Sequence, residues 1–181
     1  MNQVPDQYIK RVVVIGPECT GKSDLAEFLG QHFKTTWVPE YAREYLNNLD
    51  RPYTESDLLQ IARGQLTLEN AAQAQASNVV ICDTNLYVIK VWSEYKFGRC
   101  DREILSAIAG RKYDLYLLTY IDIPWQFDPL REHPDKRQEL YEIYWRELSQ
   151  QSVPVVDIRG DREQRRRTAV EAVEKLLRTK I

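Results

Sequence analysis

Two rhythms of apolar residues alternate along the chain. The first is a short continuous run. Residues 11–15 (RVVVI) end at Gly16, 79–83 (VVICD) end in an acid, 114–120 read DLYLLTY and 153–158 read VPVVDI. Such runs are the pattern of strands buried on both faces. Residues 36–38 form a weaker strand closed by Pro39. The second rhythm has helical spacing. Leu25, Phe28, Leu29 and Phe33 follow the first strand. Thr54 with Asp57 three residues on opens a long Ala/Gln/Leu-rich helix to about Ser77. Residues 86–97 read as a helix stopped by Gly98, and Asp101 caps another with Ile104, Leu105 and Ile108 on one face. A polar, proline-punctuated stretch leads into a helix with Leu140, Tyr144 and Leu148 in line. The last helix starts near Asp161 and turns Ala169, Val173, Leu176 and Leu177 to the core.

Strands separated by helices need crossover connections, so the expected fold is α/β: a parallel sheet in the middle of three layers. Ligands of such sheets bind outside the carboxyl ends of the strands. At 181 residues, one domain over 1–181 is expected. The composition, 43% apolar and 29% charged, suits a folded globular protein. There are 25 Lys+Arg against 27 Asp+Glu, a net charge of −2, which offers nothing to nucleic acid or an anionic membrane. No apolar stretch approaches a membrane span, and residues 1–11 are too polar for a signal peptide. Cys19, Cys82 and Cys100 are odd in number and scattered, which argues against a disulfide framework or a cysteine zinc site and for a reducing cytoplasm. No motif specifies an oligomer.

One motif carries chemistry by itself. Gly16-Pro17-Glu18-Cys19-Thr20-Gly21-Lys22-Ser23 fits G-x-x-x-x-G-K-[ST] and lies between an expected strand and an expected helix, the context the motif requires. Backbone amides of such a loop, together with the helix N-terminus, direct partial positive charge at phosphate. Lys22 adds a full charge, and the Ser23 hydroxyl can join a Mg²⁺ shell. Asp83 ends the third strand, beside the mouth of that loop. It can hold the metal, or Asp83-Thr84-Asn85 can simply cap the next helix.

A phosphate loop leaves kinases, switch GTPases and motors open. After the fourth strand stands Ile121-Asp122-Ile123-Pro124, not N-K-x-D, and no D-x-x-G follows the third strand. Both absences disfavour a switch GTPase. Residues 123–138 are long, polar and broken by Pro124, Pro129 and Pro134, with Arg131, Lys136 and Arg137 close together. A kinase needs a cationic lid of this kind to exclude water from the transferring phosphoryl group. Glu40 and Arg43, three apart, can share a helical face on the acceptor side, or form a plain ion pair. Trp92, Tyr95 and Phe97 can stack a flat acceptor ring or belong to the core.

The blocks GPECTGKS, VPEYAREY, CDTNLYVIKVWSEYKFG, YDLYLLTYIDIPWQFDPLREHPDKR and VVDIRGDREQRR together resemble the ribosylnicotinamide kinase domain of NadR-type proteins. The resemblance runs from about residue 11 to 177. It implies a P-loop kinase fold with a five-stranded parallel sheet and a helical lid over about 123–138. It implies ATP and Mg²⁺, and transfer to the 5′-hydroxyl of nicotinamide riboside. Kinases for another nucleoside and a nucleotide-binding regulatory module are the alternatives. By resemblance, Gly16, Glu18, Cys19, Thr20, Gly21, Lys22 and Ser23 form the phosphate loop, and Ser23 and Asp83 the metal site. Lys22, Asp83, Glu40 and Arg131 are the expected catalytic residues, with the base left between Asp83 and Glu40. Glu40, Arg43, Trp92, Trp125 and Asp128 are the expected acceptor contacts, with Trp125 on the nicotinamide ring and Asp128 on the ribose. Arg159 and Asp161 are expected near adenine. Cys19 stands where many relatives carry Ser. Only about ten residues precede the first strand, so neither an adenylyltransferase nor a DNA-binding domain is expected.

Overall fold

The computed structural model describes residues 8–179; the polar residues 1–7 of the start discussed above lie outside them. Five strands form one parallel sheet: β1 (Lys10–Ile15), β2 (Trp37–Val38), β3 (Val79–Asp83), β4 (Leu115–Thr119) and β5 (Val155–Ile158). Their spatial order is β2-β3-β1-β4-β5. Strand β1 is therefore central, paired with β3 on one side and β4 on the other. That position explains its sequence. Val13 and Ile15 point into one apolar layer with Tyr116, Leu118, Leu140 and Tyr144, while Val12 and Val14 point into the opposite layer with Leu25, Leu29, Ala169 and Val173. Both faces are dry, so no polar residue alternates. Each such side chain contributes about 1.5–3 kcal/mol on burial.

Helices α1 (Lys22–His32) and α7 (Arg162–Arg178) cover the second of these faces. Helices α3 (Glu55–Gln75), α4 (Leu86–Phe97) and α6 (Arg137–Ser149) cover the first, giving the expected three layers. A third cluster, built on Leu58, Ile61, Leu86, Ile89 and Ile104, joins α3 and α4 to α2 (Tyr41–Asn47) and α5 (Arg102–Gly110). Helix α2 is a single two-turn element that the hydrophobic rhythm did not reveal.

The expected caps are in place. Thr54 and Asp57 form a capping box at the start of α3. Asp101 accepts from the Glu103 amide at 2.7 Å, and Asp161 from the Gln164 amide at 2.8 Å. Gly98 closes α4 at φ +71°. The lid differs from its expected helical form. Residues 123–136 carry no helix, and α6 begins only at Arg137. Three prolines remove amide donors and restrict the residues before them, so the segment is held by side chains instead. Among the described residues no helix is long and apolar enough to cross a membrane.

Candidate active site

The turn between β1 and α1 is shaped by what lies behind it as much as by what it could bind. At Gly16 (φ +148°) a Cβ would stand 2.5 Å from Thr119 Oγ1 and 2.7 Å from the Thr119 carbonyl oxygen. The glycine is thus demanded by the end of β4. Cys19 and Gly21 also take positive φ, +55° and +76°, which folds the loop back toward α1. Thr20 is buried and donates to the Pro17 carbonyl at 2.8 Å, with Thr119 Oγ1 2.7 Å away. Lys22 Nζ reaches over the loop to the Pro17 carbonyl at 2.7 Å.

Asp83 closes β3 and is 1% exposed. It is not the helix cap: Asn85 does that work, accepting from the Tyr87 amide at 3.0 Å. Burial pushes the Asp83 carboxyl up to about 7, and the Glu40 carboxylate pushes the same way. The nearby Ser23 hydroxyl and Lys22 ammonium oppose them. Asp83 Oδ1 is buried without a hydrogen-bond partner. Such an atom requires an explanation, and a cation is the simplest. Among the described residues no cluster of three or more His, Cys, Asp or Glu could cage a metal. One carboxylate, a serine hydroxyl and phosphate oxygens are what Mg²⁺ takes beside a nucleotide.

Above the loop opens a cavity of about 310 Å³. Residues 16–24 form one side of it, Glu40, Ala42, Arg43 and Leu46 a second, and Val88, Val91, Trp92 and Tyr95 of α4 a third. Leu130, Arg131 and His133 of the lid complete it with Leu140 and Tyr144 of α6. The lid is pinned at both margins. Glu18 accepts from the amides of Glu132 and His133, each at 3.1 Å for its nearer oxygen. Across the cavity, Glu132 accepts from the Tyr53 hydroxyl at 2.5 Å and from Lys96 at 2.8 Å. Tyr53 in turn accepts from the Trp92 indole N–H at 2.6 Å. Arg137 donates to the carbonyls of Cys19 and Ile123 at 3.2 and 2.9 Å. Cys19 Sγ accepts from the Gln126 amide at 3.2 Å.

A second cavity, of about 510 Å³, lies on the other side of the loop. It is lined by Gly21, Asp24 and Leu25, by 122–124 and Gln126, and by Gly160, Asp161, Arg162, Arg165 and Arg166. Arg165 is its keystone. Only 5% exposed, it donates to the carbonyls of Gly160 (2.9 Å), Thr20 (2.8 Å) and Tyr120 (2.7 Å) and pairs with Asp122. One guanidinium fixes the phosphate loop, the end of β4 and the loop before α7 to one another.

Residues 11–165 match a family described as an AAA domain. The chain belongs to that family. The trifunctional NAD biosynthesis/regulator protein NadR of Salmonella typhimurium, and that of Escherichia coli, are 29% identical to it over 133 residues. The match takes in 71% of this chain and 32% of theirs, so the chain spans about a third of the length of these curated relatives. A solved NadR protein in complex with NR superposes with a TM-score of 0.78 at 25% identity, over 96% of this chain and 52% of that one. Thymidylate kinase from Ehrlichia chaffeensis shares the fold alone: TM-score 0.64, 13% identity, 92% of this chain and 98% of that one. The likeness to NadR-type proteins read from the motifs thus holds in sequence and in fold.

In this AAA domain most of the residues singled out in the sequence converge. Gly16, Glu18, Cys19, Thr20, Gly21, Lys22, Ser23, Glu40, Arg43, Trp92 and Arg131 all line the first cavity, with Asp83 beside Ser23 and Glu40. Asp161 caps α7 and lines the second cavity. Three residues stand elsewhere. Trp125 lies against the guanidinium groups of Arg131 and Arg137, at 5.8 and 5.7 Å. Asp128 accepts from the Leu130 amide at 2.9 Å and from Arg43 at 3.0 Å. Arg159 packs 3.6 Å from the Tyr120 ring and pairs with Asp157. None of the three lines either cavity. Sequence reasoning missed Arg165, Asp122, Tyr53 and Glu132, and read Tyr144 only as a core position. No local pattern marks the first four, because each acts on a partner far away in the chain.

Proposed function

We propose that this chain is an ATP- and Mg²⁺-dependent phosphotransferase that phosphorylates the 5′-hydroxyl of nicotinamide riboside, giving nicotinamide mononucleotide and ADP. The observation that carries this reading is one cavity that unites a phosphate loop, the neighbouring carboxyls of Asp83 and Glu40 and a pinned cationic lid. The solved NadR relative bound to NR supports the choice of acceptor.

Each group then has a task. The backbone amides of residues 18–23 and the Lys22 ammonium grip the β and γ phosphates. Ser23 and Asp83 would hold Mg²⁺, which neutralises charge between those phosphates when bound. The adenine occupies the second cavity, where Asp161 and Arg162 stand. The acceptor lies between Glu40 and Arg43 on one side and Trp92 and Tyr95 on the other. Ring stacking on these aromatics, with cation–π attraction for a cationic ring, would orient it. The acceptor 5′-oxygen forms its bond to the γ-phosphorus as the bond to the β–γ bridging oxygen breaks, and ADP leaves. The two carboxylates divide their work by exposure. Asp83 is buried beside Ser23 and serves the metal; Glu40 lines the cavity and takes the hydroxyl proton. Little base strength is needed, since phosphoryl transfer relies on position and charge. Arg131, and Arg137 at the hinge of the lid, spread the charge on the transferring group. Trp125 and Asp128 shape the lid around Arg131 and Arg43. The three thiols are free, in keeping with a reducing cytoplasm.

The test is turnover with ATP, Mg²⁺ and a panel of nucleosides. ADP release that depends on nicotinamide riboside, and is lost in Lys22→Ala, is the expected result. Tight nucleotide binding with no acceptor-dependent turnover overturns the reading in favour of a binding module.

A further inference from the structure

Tyr144 sits in the middle of α6, 5% exposed, and lines the first cavity. Its ring belongs to the core with Leu118, Leu140, Tyr141 and Val91. Among the described residues no hydrogen bond reaches its hydroxyl; burial and the charges of Glu40 and Glu18 are what act on it. Two other buried tyrosines are satisfied: Tyr113 donates to Glu69 at 3.0 Å and Tyr141 to Asp157 at 2.7 Å. Among the described residues its hydroxyl is not one of the buried polar atoms that lack a partner, so it opens into the cavity, and its partner there is whatever fills that space.

The surroundings restrict what that group can be. The charges acting on Tyr144 are the carboxylates of Glu40 and Glu18, both on the cavity wall, and together with burial they keep the phenol protonated. The hydroxyl is thus a donor at neutral pH. An alcohol in the cavity can accept from the phenol and donate to a wall carboxylate such as that of Glu40. The aromatic wall of Trp92 and Tyr95 takes the flat ring of the acceptor, and the phosphate loop takes the phosphates. Between them, beside Glu40, lies the sugar.

We infer that the Tyr144 hydroxyl hydrogen-bonds a ribose hydroxyl of the acceptor nucleoside, which makes Tyr144 a binding residue that selects ribosides over deoxyribosides. The inference rests on the kinase reading above and extends it to a residue no motif pointed to.

The experiment compares wild type and Tyr144→Phe with nicotinamide riboside and its 2′-deoxy and 3′-deoxy forms. In wild type, kcat/KM is expected to fall about five- to tenfold for one of the deoxy acceptors, the worth of one hydrogen bond. Tyr144→Phe should lose a similar factor on the riboside, through acceptor KM, and lose nothing further on that deoxy form. The KM for ATP should not change. A merely structural role would weaken all acceptors alike; such additive losses, or no penalty for either deoxy form in wild type, overturn the proposal. Calorimetry with a non-hydrolysable ATP analogue present reads the same contrast without turnover. Riboside that binds wild type five- to tenfold more tightly than Tyr144→Phe supports the Tyr144 assignment even where no phosphate is transferred, a result that sinks only the kinase reading. Equal binding to both proteins overturns the assignment while leaving the kinase reading intact.

Discussion

Replacing Gly16 by alanine would drive a methyl group into the end of β4. The new Cβ meets Thr119 Oγ1 at 2.5 Å and the Thr119 carbonyl oxygen at 2.7 Å. The first contact could be relieved by rotating a side chain. The second is backbone, at the end of β4 where Thr119 pairs with Ile158 of β5, and has nowhere to go. A positive-φ alanine costs about 1–3 kcal/mol and overpacking a further 1–3 kcal/mol. Together these reach about 2–6 kcal/mol, a large part of the roughly 5–15 kcal/mol that holds a domain folded. At about 2–4 °C per kcal/mol for a chain of this size, the melting temperature should fall by roughly 4–24 °C. Gly98→Ala is the reference. It too has positive φ, +71°, yet nothing lies within 4 Å of its Cβ. It should pay the backbone strain alone, about 1–3 kcal/mol. Thermal unfolding of both variants by circular dichroism decides the matter. Equal losses would refute the claim that β4 dictates this glycine. A Gly16→Ala protein that melts like wild type would refute the packing argument altogether.

Three further outcomes follow from the same geometry. The folded pKa of Asp83 is raised, to about 7 against about 3.9 unfolded, so the native state holds a proton that the unfolded chain releases. Its stabilisation is full below about pH 4 and is lost as pH rises through 7; in magnesium-free buffer the urea midpoint of wild type should drop between pH 5 and 8, and that of Asp83→Asn should drop less. Parallel pH profiles would remove the buried acid from the account. Tyr53→Phe cuts the link from Trp92 to the lid at Glu132, and trypsin should cleave after Arg131 about three- to tenfold faster; an unchanged rate means the latch does not hold the lid. Arg165→Met removes the guanidinium that serves three carbonyls and Asp122, leaving Asp122 only the Gly160 amide. With Asp122 29% exposed, the loss should be about 2–4 kcal/mol, less than for a fully buried pair. The KM for ATP should rise with it, and a variant with native stability and native KM would show that the three loops hold themselves in place.

The chain by itself determined whatever is encoded within a few residues. The strands at β1, β3, β4 and β5, the caps at Thr54, Asp101 and Asp161, and the phosphate loop were all legible, because each depends on short-range sterics, local hydrogen bonding and the burial of both sheet faces. Tertiary structure alone decided the rest. The weak strand read at residues 36–38 is β2, but the 7-residue helix α2 is too short to carry a period. The strand order, which places β1 between β3 and β4, is set by how crossovers pack and leaves no mark in the run RVVVI. The burial of Asp83, with Glu40 close by, and hence the near-neutral carboxyl, arises only where the chain after β2 meets the end of β3. Thr20 meets Thr119 across 99 positions and Arg165 across 145. Side chains that act at such separations are indistinguishable in the sequence from ordinary core or surface residues, since the partner that gives each its role arrives only when the carboxyl ends of the strands are gathered at one edge of the sheet.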